Sequence, residues 1–201
     1  MPQFGLRSIY AAKYNNTAGV ISYTGIQHVG DAITANLELR YAEGRLYAED
    51  MLAEYMRKAV GGSISIGVKY ITQAAQQLLF SSKTKTRTVN YTPAGGSATS
   101  VEATSVVLGG EDEGQYVGVA FFAPDSVDSV KKYTCVLIKK ALFGPPSMNF
   151  QTMGESLTFQ TPTTTGEFLA DDSATHDLIE VAIVDDIEAA KAWVQSVLGG
   201  T

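Results

Sequence analysis

The chain has 201 residues, 45% of them apolar and 18% charged, and a formal net charge of −6. This length supports one domain with a sizeable core, and the single cysteine, Cys135, excludes a disulfide framework and a cysteine-based zinc site. No apolar run approaches the roughly 18 to 20 residues of a membrane helix, and the N-terminal stretch lacks the apolar core of a signal peptide. We therefore expect a soluble protein that is made in the cytoplasm and does not insert into membranes.

Acidic residues concentrate near the end of the sequence. Residues 1–150 carry 14 basic and 12 acidic side chains, whereas residues 151–201 carry nine acidic side chains and one lysine, Lys191. An acidic chain is a poor candidate for clamping duplex DNA, which needs basic surface to displace counterions. The acidic segment could face a basic partner, but a role in solubility is the simpler interpretation.

Strand signals dominate the sequence, because segments rich in β-branched and aromatic residues alternate with Gly, Pro, Asn and Asp. The predicted strands are residues 19–27, 33–39, 63–71, 116–122, 132–139, 157–161, 166–170 and 178–184. The period-two pattern of residues 83–88 predicts a further strand, with three cations on one face and three threonines on the other.

Two helices are expected. One covers residues 72–80, and the other follows Asp185, which can form a capping box with Glu188. Residues 46–59 are ambiguous, because their composition favours a helix while a loop leading into a strand over 52–59 also fits. The Gly-rich, polar stretch 91–101 is typical of a mobile surface loop.

The sequence contains no recognisable catalytic motif. With His28 and His176 as its only histidines, it cannot build a multi-histidine metal site. The best metal candidate is the acidic stretch 171–177, which matches no calcium-binding loop and is better interpreted as a solvated turn. Cys135 is expected in the core. We therefore expect no enzymatic activity and no cofactor, and a protein that works through its surfaces.

One segment resembles the hallmark region of bacteriophage major tail proteins, the tail tube subunits of long-tailed phages. Within residues 148–172, Met153-Gly154-Glu155 resembles the turn of that family, and Phe159-Gln160-Thr161-Pro162-Thr163 with Gly166 resembles its hairpin. Further similarities follow in the family's order over much of the chain, at residues 5–10, 30–39, 46–50, 115–121 and 133–143.

This resemblance implies a mainly β (α+β) fold. It predicts a β-sandwich or half-barrel with a flanking helix over residues 1–184, with 91–101 as an inserted loop, and a C-terminal helical extension over 185–201. It also favours the loop followed by a strand for residues 46–59. In this family, subunits form hexameric rings whose strands join in an inner β-barrel, and stacked rings form the tube through which DNA leaves the capsid.

The resemblance also implies location and partners. The protein is expected in the virion tail as a structural, self-assembling subunit that contacts copies of itself, the tape-measure protein, the tail terminator and the distal tail protein. Phage DNA is expected to pass through the lumen without specific binding.

Three sets of residues are candidate functional positions. The first set is predicted to meet acidic residues of a neighbouring subunit, or else to form a solvated edge strand: Lys83, Lys85 and Arg87. The second is predicted to contact the next ring, or else to pack on its own subunit: Phe143, Pro145, Pro146, Met148 and Phe150. The third is predicted to line the lumen, where carboxylates repel DNA phosphates: Glu155 and Glu167.

Two other functions fit the sequence. One is the inner tube subunit of a contractile tail or tailocin, which the residues do not separate from a non-contractile tail. The other belongs to a different class, a monomeric β-rich domain that binds a ligand or acts as an enzyme.

Overall fold

The computed structural model describes residues 5–127, 130–148, 152 and 161–199. The expected mainly β fold with two helices is confirmed within these residues. The elements in chain order are β1 Arg7–Thr17, β2 Val20–Gly30, β3 Ala32–Ala48, β4 Met51–Val68, α1 Gln73–Phe80, β5 Lys83–Tyr91, β6 Thr99–Val107, β7 Val117–Val127, β8 Val130–Phe143, β9 Thr163–Leu169, β10 Ile179–Val184 and α2 Ile187–Gly199.

Eight of the described strands form one antiparallel sheet in the order β2-β1-β7-β8-β9-β4-β3, with β10 beside β8. Strand β8 is the branch point of this sheet. Its first part, residues 133–138, pairs with β10, and its last part, residues 140–143, pairs with β9. Strands β5 and β6 form a separate two-stranded sheet.

The main sheet is strongly curled. Strands β2 and β3 lie at opposite ends of the strand order, yet Asp31 alone separates them in sequence. In a flat sheet, six strand spacings would place them about 29 Å apart. The corner at Asp31 is fastened by two backbone hydrogen bonds, from the Lys69 amide to the Asp31 carbonyl (2.9 Å) and from the Thr72 amide to the Val29 carbonyl (3.2 Å).

At the centre of the sheet both faces are buried, each under one helix. Val119 and Phe121 of β7 pack on the α1 side, whereas Ala120 and Phe122 pack on the α2 side, as the alternation of side chains along a strand requires. The α1-side cluster includes Leu79 of the helix, and the α2-side cluster includes Val194, Leu198 and Cys135. The expected core position of Cys135 is confirmed.

Helix α1 is confirmed where it was predicted. The Thr72 side chain caps it by accepting a hydrogen bond from the Ala75 amide (3.2 Å). A helix of eight residues is marginal alone, and burial of Ala75, Leu78 and Leu79 against the sheet supplies the support it needs.

Helix α2 is also present, but the predicted cap was wrong. Asp186, not Asp185, caps it: its side chain accepts from the Glu188 amide (2.6 Å) and its carbonyl accepts from the Ala190 amide (3.0 Å). The pairing of Val184 with Tyr133 brings Asp185 beside Lys132, with which it forms a 3.0 Å ion pair. Glu188 bonds to Lys191 instead of closing a capping box.

Several strand predictions also need correction. The strand over 52–59 is confirmed, but no loop precedes it, because β3 runs through Ala48 into a two-residue turn at Glu49 and Asp50. Both turn residues have positive φ (52° and 59°), as tight hairpin turns require. Strands β1 and β6 were missed, and β6 reduces the predicted 91–101 loop to residues 92–98. The predicted strand 157–161 lies almost entirely outside the described residues.

Candidate functional site

The outer half of the β3–β4 hairpin is exposed on both faces. Its residues 41–59, here called the first arm, are all exposed apart from the half-buried Ala59. From residue 41 to the turn, the arm extends about 30 Å at 3.3 Å per residue. Its large apolar side chains are open to solvent: Tyr41, Leu46, Tyr47, Met51, Leu52, Tyr55 and Met56. An isolated two-stranded hairpin is marginally stable in water, so the body of the protein supports this arm only at its base.

One face of the first arm satisfies its own charges. The Arg57 guanidinium lies 3.7 Å from the centre of the Tyr41 ring, and Arg45 lies 5.7 Å from that of Tyr55. The Glu43 carboxylate is 3.5 Å from both arginines. Partial desolvation and the hydrogen bond with Glu43 raise the pKa of Tyr55. This aromatic and charged face therefore has internal partners.

The opposite face, here called the apolar face, has no such network. The cross-strand pairs Gly44–Met56, Leu46–Glu54 and Ala48–Met51 place these side chains together. Gly44, Leu46, Glu54 and Met56 line a shallow hollow of about 260 Å³. Glu49 and Asp50 add two carboxylates at the tip. Large exposed apolar residues around an open hollow are typical of an interaction surface.

The β5–β6 hairpin forms a second arm, in which every residue is exposed except the half-buried Val106. The strand predicted from residues 83–88 is confirmed and extends to Tyr91. One face, here called the basic–apolar face, has cations near the base and apolar side chains towards the tip. Its large and charged members are Lys83, Lys85, Arg87, Val89 and Tyr91 of β5 and Val101 and Val107 of β6. Val107 is the one apolar member at the base, where it pairs with Lys83.

The three cations on this face are not equivalent. Lys83 forms a 3.0 Å ion pair with Asp112 of its own chain. Hydrogen bonds from the Gly109 amide and Lys83 lower the pKa of Asp112. Within the described residues, Lys85 and Arg87 have no carboxylate partner. Only the last two thus remain candidates for an ion pair with another subunit.

The segment at the end of β8 is exposed only in part. Phe143 is 4% exposed and packs in the α1-side cluster, which agrees with the alternative that this residue packs on its own subunit. Pro145 and Met148 are exposed and Pro146 is half-buried. Phe150 lies outside the described residues.

Of the two predicted lumen residues, one lies within the described residues. Glu167 of β9 is exposed, with a side-chain accessibility of 66%, and it accepts a hydrogen bond from Arg40 of β3 at 3.0 Å. Glu155 lies outside the described residues.

The acidic end of the chain faces lysines of its own subunit. Lys139 contacts Asp177 (2.6 Å) and the buried Asp171 (3.5 Å). On the same strand, Lys140 pairs with Asp172 at 2.8 Å. Folding therefore offsets part of the charge asymmetry along the sequence.

These ion pairs also explain the stretch considered for a metal. Hydrogen bonds from Lys140 and Tyr14 lower the pKa of Asp172, and that from Lys139 does the same for Asp177. Burial raises the pKa of Tyr14, whose hydroxyl donates to Asp172 (2.9 Å), to about 12. Lysines occupy these carboxylates, so the stretch is a structural turn that joins β9 to β10.

Neither a scan against protein-family models nor a search of curated proteins gave a match to this chain. Among the described residues, the helices are too short or too polar to cross a membrane. The two arms are thus the most distinctive exposed surfaces of the described residues.

The sequence did not reveal that Leu46, Met51 and Met56 form an exposed surface. These residues fit a helical stripe, which would have pointed into a core. In the hairpin they share a face because a tight turn folds β4 back on β3. The two residues of that turn, Glu49 and Asp50, lack the Asn-Gly or Asp-Gly signature that would have revealed it.

Proposed function

We propose that the protein is a structural, self-assembling subunit of a phage tail tube. Copies join into hexameric rings, the rings stack, and DNA passes through the stack. The observation that carries this proposal is the pair of arms, which leave large apolar side chains open on hairpins that are marginal alone. Contacts with other copies would bury these side chains.

The free edges of the main sheet support the same function. Strands β2 and β3 are the edges of its main path, and unpaired edges are an aggregation hazard unless another chain covers them. Joining curled sheets edge to edge in a closed ring removes this hazard. The curl at Asp31 suits a subunit that contributes part of such a barrel.

The tube itself, the hexameric ring and the partners come from the resemblance to major tail proteins. On this proposal the tape-measure protein, the tail terminator and the distal tail protein are further partners of the tube. Glu155 and Glu167 would line the lumen, where carboxylates repel phosphate.

Negative-stain electron microscopy over a concentration and salt series tests the proposal. Wild-type protein is expected to form rings or hollow tubes of uniform width. A variant carrying Leu46→Asp and Met56→Asp is expected to remain as small particles, because charges on the apolar face oppose its burial. Ala189→Asp with Gln195→Asp, on the exposed surface of α2, adds the same charge and should assemble normally.

Wild-type protein that stays monomeric throughout the series would contradict the proposal. The series therefore includes tail-tip complexes from a related phage, which supply a nucleus for tube growth. If the protein stays monomeric even in the presence of these complexes, it does not form a tube and the proposal is wrong.

A further inference from the structure

We infer that the apolar face of the first arm docks on the basic–apolar face of the second arm of a neighbouring copy. This inference rests on the proposed self-assembly and specifies which surfaces meet. The two arms belong to one chain, but each face is open to solvent within the described residues. A second copy is therefore the occupant that supplies both halves of the contact.

The apolar parts of the two faces match in kind. The first arm offers Leu46, Met51 and Met56, which are 59%, 73% and 66% exposed. The second arm offers Tyr91, with Val89 and Val101 paired directly across its two strands. An added Cβ at Gly44 would meet only the Met56 Cβ, at 4.0 Å, so the hollow beside it is open to an incoming side chain.

The charges on the two arms are complementary. Three carboxylates lie at or near the tip of the first arm, Glu49, Asp50 and Glu54, and one cation of the same face, Lys58, lies near the base. The ion pairs of the described residues use none of these four groups. The cations that lack a partner on the second arm are Lys85 and Arg87. Acidic and basic groups without partners in one chain fit each other across an interface.

The order of these groups fixes the direction of docking. From base to tip, carboxylates become more frequent on the first arm, with Met51 beside them at the tip, whereas the second arm passes from mainly basic to apolar. An antiparallel arrangement therefore places apolar on apolar and acid on base at once. The spacing agrees: Gly44 to Glu49 spans about 17 Å, and Val89 to Lys85 about 13 Å, at 3.3 Å per residue.

The two docking surfaces differ from each other, which gives the contact a useful property. A contact between unlike patches is heterologous, so each copy still offers one free patch after docking. Such a contact propagates into a ring or a stack instead of ending at a dimer. It thus fits a tube subunit better than a symmetric contact would.

Charge reversal in two complementary variants tests the docking. The first variant carries Lys85→Glu and Arg87→Glu, and the second carries Glu49→Lys and Glu54→Lys. Each variant alone brings like charges together, which should raise the critical concentration for assembly at least about tenfold at low salt. An equal mixture pairs acid with base at every contact of an alternating assembly, so mixing should restore assembly.

A matched control separates this effect from overall charge. Lys13→Glu with Lys131→Glu changes the net charge as much as the first variant does, at exposed positions of the body. It should assemble like wild type. Wild-type assembly by either arm variant alone, or no recovery on mixing, would overturn the inference.

Cysteine cross-linking gives a second readout that does not depend on charge. Chains with Gly44→Cys, mixed with chains with Tyr91→Cys, should form a covalent dimer under oxidation, whereas Thr88→Cys on the other face of the second arm should not. The buried Cys135 gives no background. Equal cross-linking of both pairs would overturn the inference.

The outcomes also separate the inference from the proposed function. If the charge-reversed variants still form hollow tubes and both cysteine pairs cross-link equally, the proposed tube function stands and the docking of the two arms is wrong. If the cysteines at positions 44 and 91 cross-link efficiently in assemblies that have no lumen, the docking of the two arms stands and the proposed tube function is wrong.

Discussion

The body and the arms of this protein use similar residues in opposite ways. In the body, the curled sheet lies between two helices and buries Phe122, Phe168 and Leu198 almost completely. In the arms, Leu46, Met56 and Tyr91 are half or more exposed. Both regions consist mainly of antiparallel strands, so the difference lies in what covers them.

Charges show the same contrast. In the body, the acidic C-terminal segment is matched by lysines of β8, such as Lys139 and Lys140. On the arms, Lys85, Arg87 and Glu54 have no ion-pair partner among the described residues. On the proposed function, the arms are completed by another copy, whereas the body needs another copy only at the free edges of its sheet. Four predictions test this division.

Large-to-small substitutions should separate body from arms most strongly. Phe168→Ala removes a ring that is 0% exposed and should lower the free energy of unfolding by about 3–5 kcal/mol. Met56→Ala, on the apolar face, should change it by less than about 0.5 kcal/mol while weakening assembly. Urea unfolding at a concentration below assembly measures both. Equal losses for the two variants would mean that the arm is part of the folded core.

Substitutions of two glycines, one in the body and one in the first arm, should give a smaller difference in stability. An added Cβ at Gly62 would lie 2.1 Å from the Glu38 carbonyl oxygen and 2.3 Å from the Phe168 ring. Gly62→Ala should therefore cost about 1–3 kcal/mol of unfolding free energy. Gly44→Ala has open space and should leave the monomer unchanged while filling the hollow on the first arm. A stable Gly62→Ala variant would show that the sheet is less tightly packed there.

The start of α2 offers a finer test of the body. Asp186→Ala removes the cap and should cost about 1 kcal/mol, seen as a lower urea midpoint. Asp185→Ala breaks only a surface ion pair and should stay within about 0.5 kcal/mol. A larger loss of stability for Asp185→Ala than for Asp186→Ala would mean that Asp185 caps the helix, as the sequence pattern predicted.

Acid should produce the smallest change, confined to the body. The pKa values of Asp172 and Asp177 are lowered in the folded state, so their contribution is present above the unfolded value and is lost as pH falls through the folded value. Stability should therefore fall below about pH 4. Lys139→Met with Lys140→Met should flatten this fall, measured by thermal unfolding from pH 6 to 3. An unchanged slope would assign the acid response to other carboxylates.

Sequence patterns predicted the body better than the arms. The two helices and most sheet strands have local signals, such as runs of β-branched and aromatic residues between Gly, Pro, Asn and Asp, and these agree with the fold. Strand β1 and the exact cap of α2 depend on pairing with distant residues, which a local pattern does not contain.

The arms were harder to predict because the folded body does not cover them, so their burial pattern gives no guide to their secondary structure. Residues 46–59 have helix-favouring composition, and only the resemblance to tail proteins favoured a strand over 52–59. The alternating cations of the second arm did predict β5. Its partner β6 was missed, because Thr, Ser and Ala beside a Gly-rich turn are typical of a loop.

Hydrogen–deuterium exchange of the backbone, before and after assembly, tests the central claim most directly. We expect fast exchange in residues 41–59, 83–91 and 99–107 of the monomer, and strong protection of these residues in the assembly. Exchange in β7 and β8 should be slow in both states. Arms that stay unprotected while other surfaces of the chain become protected would contradict the assignment of assembly contacts to the two arms.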